Sequence, residues 1–305
     1  MASKIFLITT SLLAFAVCFS IRERYFTGTK IADIGPGNYR RIVSMAPSIT
    51  ETLYVLGLSD RLVGVTRYCK YPAEVQKLPK VGGFLDPNFE AIISLRPDLV
   101  LVLEEHARSM PGFQKLGLKT KVVCHKNIEG IIDSLRSIAG ICEVEDRGRQ
   151  AADDIQSRLE RIRKKTAQAK RPRVMIAIDR IRGSGGLVDV YIAGADGFFD
   201  KMVELAGGEN VYRQGTASFP VVSTEGIMRM NPDVIVDLVS GLDEGHIQSQ
   251  RGMEDWQGLA GVEAVKRHRV YAINQDYATV PGPRFIRFVE DLARLLHPEM
   301  DWNDS

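Results

Sequence analysis

From about residue 40 onward, two hydrophobic periods alternate along the chain. Short apolar runs rich in Val, Ile and Leu give way to segments whose apolar residues recur every three or four positions. The first pattern suits a strand and the second an amphipathic helix. In the first half, strands are predicted at Arg41–Met45, Arg61–Val65, Asp98–Leu103 and Thr120–Cys124. Helices are predicted there at Ser48–Leu56, Phe89–Leu95, Ser109–Leu116 and Ile128–Ile141. In the second half, strands are predicted at Arg173–Ile178, Val188–Ala193, Asp233–Val239 and Arg269–Ile273. The helices are Asp196–Ala206, stopped by Gly207-Gly208, then Thr224–Met230, Met253–Val265 and Arg284–Leu296. A run such as Leu99-Val-Leu-Val-Leu103 has no polar face, which suits a parallel strand covered on both sides. The expected class is therefore α/β, with mostly parallel sheets and helices on both faces.

The two halves are separated by a long polar segment. Ala151, Ile155, Leu159 and Ile162 fall on one helical face, and Asp153, Asp154, Arg158, Arg161 and Lys165 on the other. A helix over Val144–Ala169, ended by Pro172, would run about 39 Å at the usual rise per residue. That length suits a bridge between two lobes; one long helix inside a single domain is the plainer alternative. The expected divisions are a lobe over 40–143, a bridging helix over 144–170 and a second lobe over 171–305.

The first 39 residues differ from the rest. Lys4 precedes an apolar run from Ile5 to Ile21, with Arg22 and Arg24 after it, so residues 1–20 read as a secretory signal. An uncleaved anchor and lipidation at Cys18 are the other two readings, and all three imply export. Residues 21–39 read as a tether. Over all 305 residues the apolar share is 45%, the charged share 26% and the formal net charge +2, which gives no electrostatic case for nucleic acid. Cys18, Cys69, Cys124 and Cys142 show no CxxC spacing, so they read as core or loop residues with one disulfide open.

Two segments repeat one another. Glu90-Ala-Ile-Ile-Ser-Leu-Arg-Pro97-Asp98-Leu-Val-Leu matches Glu225-Gly-Ile-Met-Arg-Met-Asn-Pro232-Asp233-Val-Ile-Val in spacing. In each, a short helix ends before Pro and an Asp leads into a buried strand. The chain therefore holds two copies of one supersecondary unit. The Glu has a purely local reading, because an acid in the first helical turn complements the helix dipole.

The order of these segments resembles the class III periplasmic binding proteins of ABC importers, which capture cobalamin, ferric siderophores and haem. The resemblance runs from Arg40 to Pro298. It includes Arg41-Ile-Val-Ser-Met-Ala-Pro-Ser-Ile-Thr-Glu51, Val63-Gly-Val-Thr-Arg-Tyr68, Tyr71-Pro72, Gly82-Gly83-Phe84, Leu205-Ala-Gly-Gly-Glu-Asn-Val211, Phe219-Pro220 and Pro281-Gly-Pro-Arg284. It implies two Rossmann-like lobes facing across a cleft, joined by a long helix. It also implies a monomer that delivers its solute to an ABC permease dimer in the inner membrane. Glu90 and Glu225 would dock against arginines of that permease, one from each lobe. The working location is the periplasm or the outer face of the cytoplasmic membrane, with tethering open.

Loops after the strands should supply the ligand site, since parallel sheets bind ligands at their carboxyl ends. The candidates are Tyr68, Phe84, His106, Phe219, Asp276, Tyr277 and Arg284. Phe84 stands where cobalamin-binding relatives carry an aromatic residue. His106 reads either as an axial metal ligand or as a solvated loop histidine. Phe84 and Phe219 read equally as core residues, and Arg284 as a brace for its loop. Arg67, Arg180 and Arg182 join Arg284 as candidates to meet carboxylates or phosphate. A chelate arrives with its metal already coordinated, so no resident cofactor or protein metal site is expected. Cobalamin is the favoured solute and a ferric siderophore the next. Haem or a free metal ion is the alternative within the fold. An exported enzyme is a further one, but no HExxH, GxSxG or paired CxxC supports catalysis.

Overall fold

The computed structural model describes residues 34–181, 186–195, 197–213, 215, 217–239 and 254–302. The predicted leader and Arg182 fall outside these residues. The chain divides within its longest helix into units of residues 1–155 and 156–305.

In the first unit, β1 (Ile42–Ser44), α1 (Pro47–Val55), β2 (Leu62–Val65), α2 (Phe89–Ser94), β3 (Leu99–Leu103), α3 (Met110–Lys115), β4 (Thr120–Val123) and α4 (Ile128–Ile141) follow in turn. The sheet order is β2-β1-β3-β4, and every pairing is parallel. Residues of β3 are buried throughout, as an unalternating apolar run requires. On one face Val43, Met45, Ile92, Val100, Val102 and Phe113 form a core.

Next, α5 (Glu145–Thr166) is a single helix of 22 residues that passes from one unit to the other. In the second unit come β5 (Arg173–Asp179), β6 (Val190–Ile192), α6 (Phe198–Leu205), β7 (Glu209–Asn210), β8 (Val221–Val222), α7 (Thr224–Met230), β9 (Val234–Leu238), α8 (Glu263–Lys266), β10 (Val270–Ile273) and α9 (Phe285–Leu296). Strands run in the order β10-β9-β5-β6-β8, with β7 also on β5. Pairings of β5 with β9 and β7, and of β9 with β10, are parallel; β6 pairs antiparallel with β5 and β8. On the C-terminal half of α5, Arg158 makes a bidentate pair with Glu290 of α9, at 2.8 and 2.7 Å.

Some expectations need correction. The helix expected over Met253–Val265 is interrupted: residues 254–257 are helical, turns follow, and α8 starts at Glu263. Gly258 and Gly261 lie in the gap, and glycine weakens a helix interior by about 1 kcal/mol. The tether does not extend to residue 39, because Tyr39 is buried and the Gly37 amide donates to the Ile141 carbonyl at 3.0 Å. Cys69, Cys124 and Cys142 are free thiols, so no disulfide joins them. The stop at Gly207 holds: its φ is +81°, and it and Gly208 donate to Glu204 and Val203 carbonyls at 3.0 and 2.9 Å. Among the described residues no helix is long and apolar enough to cross a membrane.

Candidate functional site

Both copies of the repeated unit are built by the same contacts. Asn88 caps α2 by accepting from the Ala91 amide at 3.0 Å, and Ser223 caps α7 by accepting from the Gly226 amide at 3.3 Å. The residues before the prolines, Arg96 and Asn231, both take left-handed backbone, with φ of 46° and 43°. Asp98 then accepts from the amides of Arg40 and Arg41 at 2.7 and 2.9 Å. Asp233 accepts from the Arg173 amide at 2.9 Å. Each Asp thus ties the start of its strand to the start of the neighbouring strand. The caps are Asn88 and Ser223, so neither Glu90 nor Glu225 is the capping residue. Both acids sit in the first helical turn and are exposed. Hydrogen bonds from the Ser223 hydroxyl, and then its own amide, hold the Glu225 carboxyl below the usual range.

In the N-terminal lobe, Tyr68 follows β2 and Phe84 lies in the loop before α2. Arg67 fastens these two loops together. Its amide donates to the Gly82 carbonyl at 3.0 Å, and its guanidinium pairs with Asp86 and lies 5.5 Å from the centre of the Tyr68 ring. Gly82 has φ +104°, and a side chain there would strike the Asp86 carbonyl oxygen at 2.5 Å. Tyr68 is 42% exposed and Leu85, beside Phe84, is 44% exposed. The Phe84 ring stands edge-on to His106, centroids 5.0 Å apart.

His106 corrects the sequence reading. It is buried rather than solvated, and both ring nitrogens are engaged. The Leu103 amide donates to Nδ1 at 3.1 Å, and Nε2 donates to the Met45 carbonyl at 3.1 Å. Burial pushes its pKa down to about 4, against the carbonyls around it. It is therefore a neutral ring packed against Phe84, with both nitrogens engaged inside the lobe.

In the C-terminal lobe, Asp276, Tyr277 and Arg284 form one polar network. Arg284, at the mouth of α9 and itself buried, donates to both Asp276 oxygens at 2.9 Å. Tyr277 donates to Asp291 at 2.6 Å, and burial followed by that carboxylate pushes its pKa up to about 12. Arg284 braces its loop, and the half-exposed Asp276 carries the network to the surface. Phe219 packs edge-on to Phe199, ring centroids 6.3 Å apart.

Arg180 is a second correction. Its side chain is buried and donates to Asp237 at 2.9 and 2.8 Å and to Asp255 at 2.8 Å. The Trp256 indole donates to the same Asp237 at 3.0 Å. This cluster holds the 254–257 helix against β9 and commits the Arg180 guanidinium to carboxylates inside the lobe. Asp86, the brace of the Tyr68 and Phe84 loops, was missed; the Gly-Gly before it was the available signal. Among the described residues, no three His, Cys, Asp or Glu side chains converge to hold a metal ion.

Residues 42–277 match the family model described as periplasmic binding protein. An uncharacterized ABC transporter substrate-binding lipoprotein of Bacillus subtilis is 31% identical, over 85% of this chain and 81% of its own. Two solved structures share the fold. The periplasmic vitamin B12 binding protein of Vibrio cholerae has a TM-score of 0.72 at 26% identity, covering 86% of this chain and 98% of that one. The periplasmic heme-binding protein of Roseiflexus sp. RS-1 in apo form has a TM-score of 0.69 at 24% identity, over 85% and 98%.

Proposed function

The chain belongs to the periplasmic binding protein family, and on that footing we propose that it is the solute-capturing component of an ABC importer, with cobalamin its solute. One observation carries the choice of solute. Tyr68 and Phe84 are presented from two loops that Arg67 locks together, and Phe84 is set on a rigid, neutral base by His106. A broad aromatic surface with few polar groups suits a large, flat, already-chelated ligand. The vitamin B12 binding protein of Vibrio cholerae, alike over nearly its whole length, supports the same reading. Phe219 and the Asp276–Arg284 pair are further proposed solute contacts.

A ferric siderophore is the next reading, and haem follows. His106 counts against haem, because both its nitrogens are committed within the lobe. The protein acts by binding and release, not catalysis. Export by the N-terminal segment would place it outside the cytoplasmic membrane as a monomer, free or tethered. Glu90 and Glu225 serve as its docking acids on the permease dimer. The test is calorimetric titration of the mature protein with cyanocobalamin, haemin and ferric siderophores. Cobalamin should bind with a submicromolar Kd; binding of only haemin or a siderophore overturns the choice of solute. Binding of none overturns the class.

A further inference from the structure

One outward-facing position of the repeated unit is unexplained by packing. In α2, Ile92 is fully buried and its neighbour Ile93 is 43% exposed; in α7, Ile227 is fully buried and Met228 is 49% exposed. Ile92 and Ile227 already serve the cores. Ile93 and Met228 instead hold apolar surface in water at matching places in two lobes. Each stands three residues after its glutamate, hence on the same helix face.

We propose that Glu90 with Ile93, and Glu225 with Met228, form two matching docking patches in which the apolar side chain holds the partner and the carboxylate orients it. The partner is a twofold membrane permease that offers a guanidinium beside an apolar socket in each half. This rests on the docking reading of Glu90 and Glu225 given above. An exposed ion pair alone shifts an equilibrium by a factor of about five at most. Burying the exposed half of an Ile or Met shifts it roughly three- to tenfold. Duplicate patches of equal chemistry call for a partner with duplicate complements. A second copy of this chain is disfavoured, because self-contact of one patch sets acid against acid.

The test uses the full-length protein, fluorescently labelled, on right-side-out membrane vesicles of the producing cell. Ile93→Ser and Met228→Ser, with melting temperatures confirming the fold, should each speed dissociation roughly three- to tenfold. The salt dependence of association should stay as in the wild type. Glu90→Gln and Glu225→Gln should slow association and flatten its salt dependence. A photo-crosslinking residue placed at 93 or at 228 should capture the same permease polypeptide. If the glutamate variants weaken binding and the serine variants match wild type, the apolar role fails and the docking reading survives. If neither pair has an effect, the docking reading fails too. Crosslinks between two copies of this chain overturn the choice of partner.

Discussion

His106 and His125 sit inside the N-terminal lobe, where burial holds their pKa values down to about 4 and about 3. His125 donates to the Ser134 hydroxyl at 2.7 Å, and that hydroxyl donates onward to the Ile131 carbonyl. An unfolded histidine titrates near pH 6.5. Above that value both states are neutral and the full stability is present. As pH falls from 6.5 towards 4, the unfolded chain takes up protons that the folded lobe does not, so stability falls by roughly 1.4 kcal/mol per unit for each histidine. The loss levels off once the folded state protonates as well. Melting temperature followed from pH 7 to 4.5 should therefore drop, and should drop less in the double variant His106→Gln, His125→Gln. Phe84→Ala should weaken cobalamin binding about tenfold in calorimetry, with little change in melting temperature, because the ring is only half buried. Sequence could not place His106. It stands in Glu104-Glu105-His106-Ala107-Arg108, and in such a polar turn the residue that points inward is decided by the packing above it. Arg180 was misread for the same reason, since its carboxylate partners lie 57 and 75 positions away.

At the level of elements, the Asp ties are the contacts most open to test. Asp98→Ala leaves two backbone amides, and Asp233→Ala one, without their carboxylate, which should cost about 1–3 kcal/mol in denaturant unfolding in each case. The two sites share no partner, so the double variant should lose the sum of the two. The Pro-Asp-strand pattern was legible because proline and β-branched runs act locally. The capping roles of Asn88 and Ser223 could be read from type and position as well. The broken helix around residues 253–265 shows the reverse case. Its apolar spacing is helical, but Gly258 and Gly261 made the chain turn, and Trp256 took its place in the core through the Asp237 bond.

Across the whole molecule, the proposed function divides between two kinds of surface. On that proposal the aromatic loops would meet the solute, and the helix starts bearing Glu90 and Glu225 would meet the permease. Glu90→Arg with Glu225→Arg should abolish solute uptake by cells and leave calorimetric affinity within about twofold; lost affinity with uptake unchanged would reverse the assignment. The matched units also share a length. From Phe84 and Phe219 through the caps, the glutamates and the prolines to Asp98 and Asp233, every residue lies 135 positions after its counterpart, whereas Arg173 lies 132 after Arg41. Loop, helix and strand start therefore span the same number of residues in both units while their side chains differ. One added residue there would turn the glutamate by about 100° round its helix relative to the cap, so length is what keeps the acid aimed.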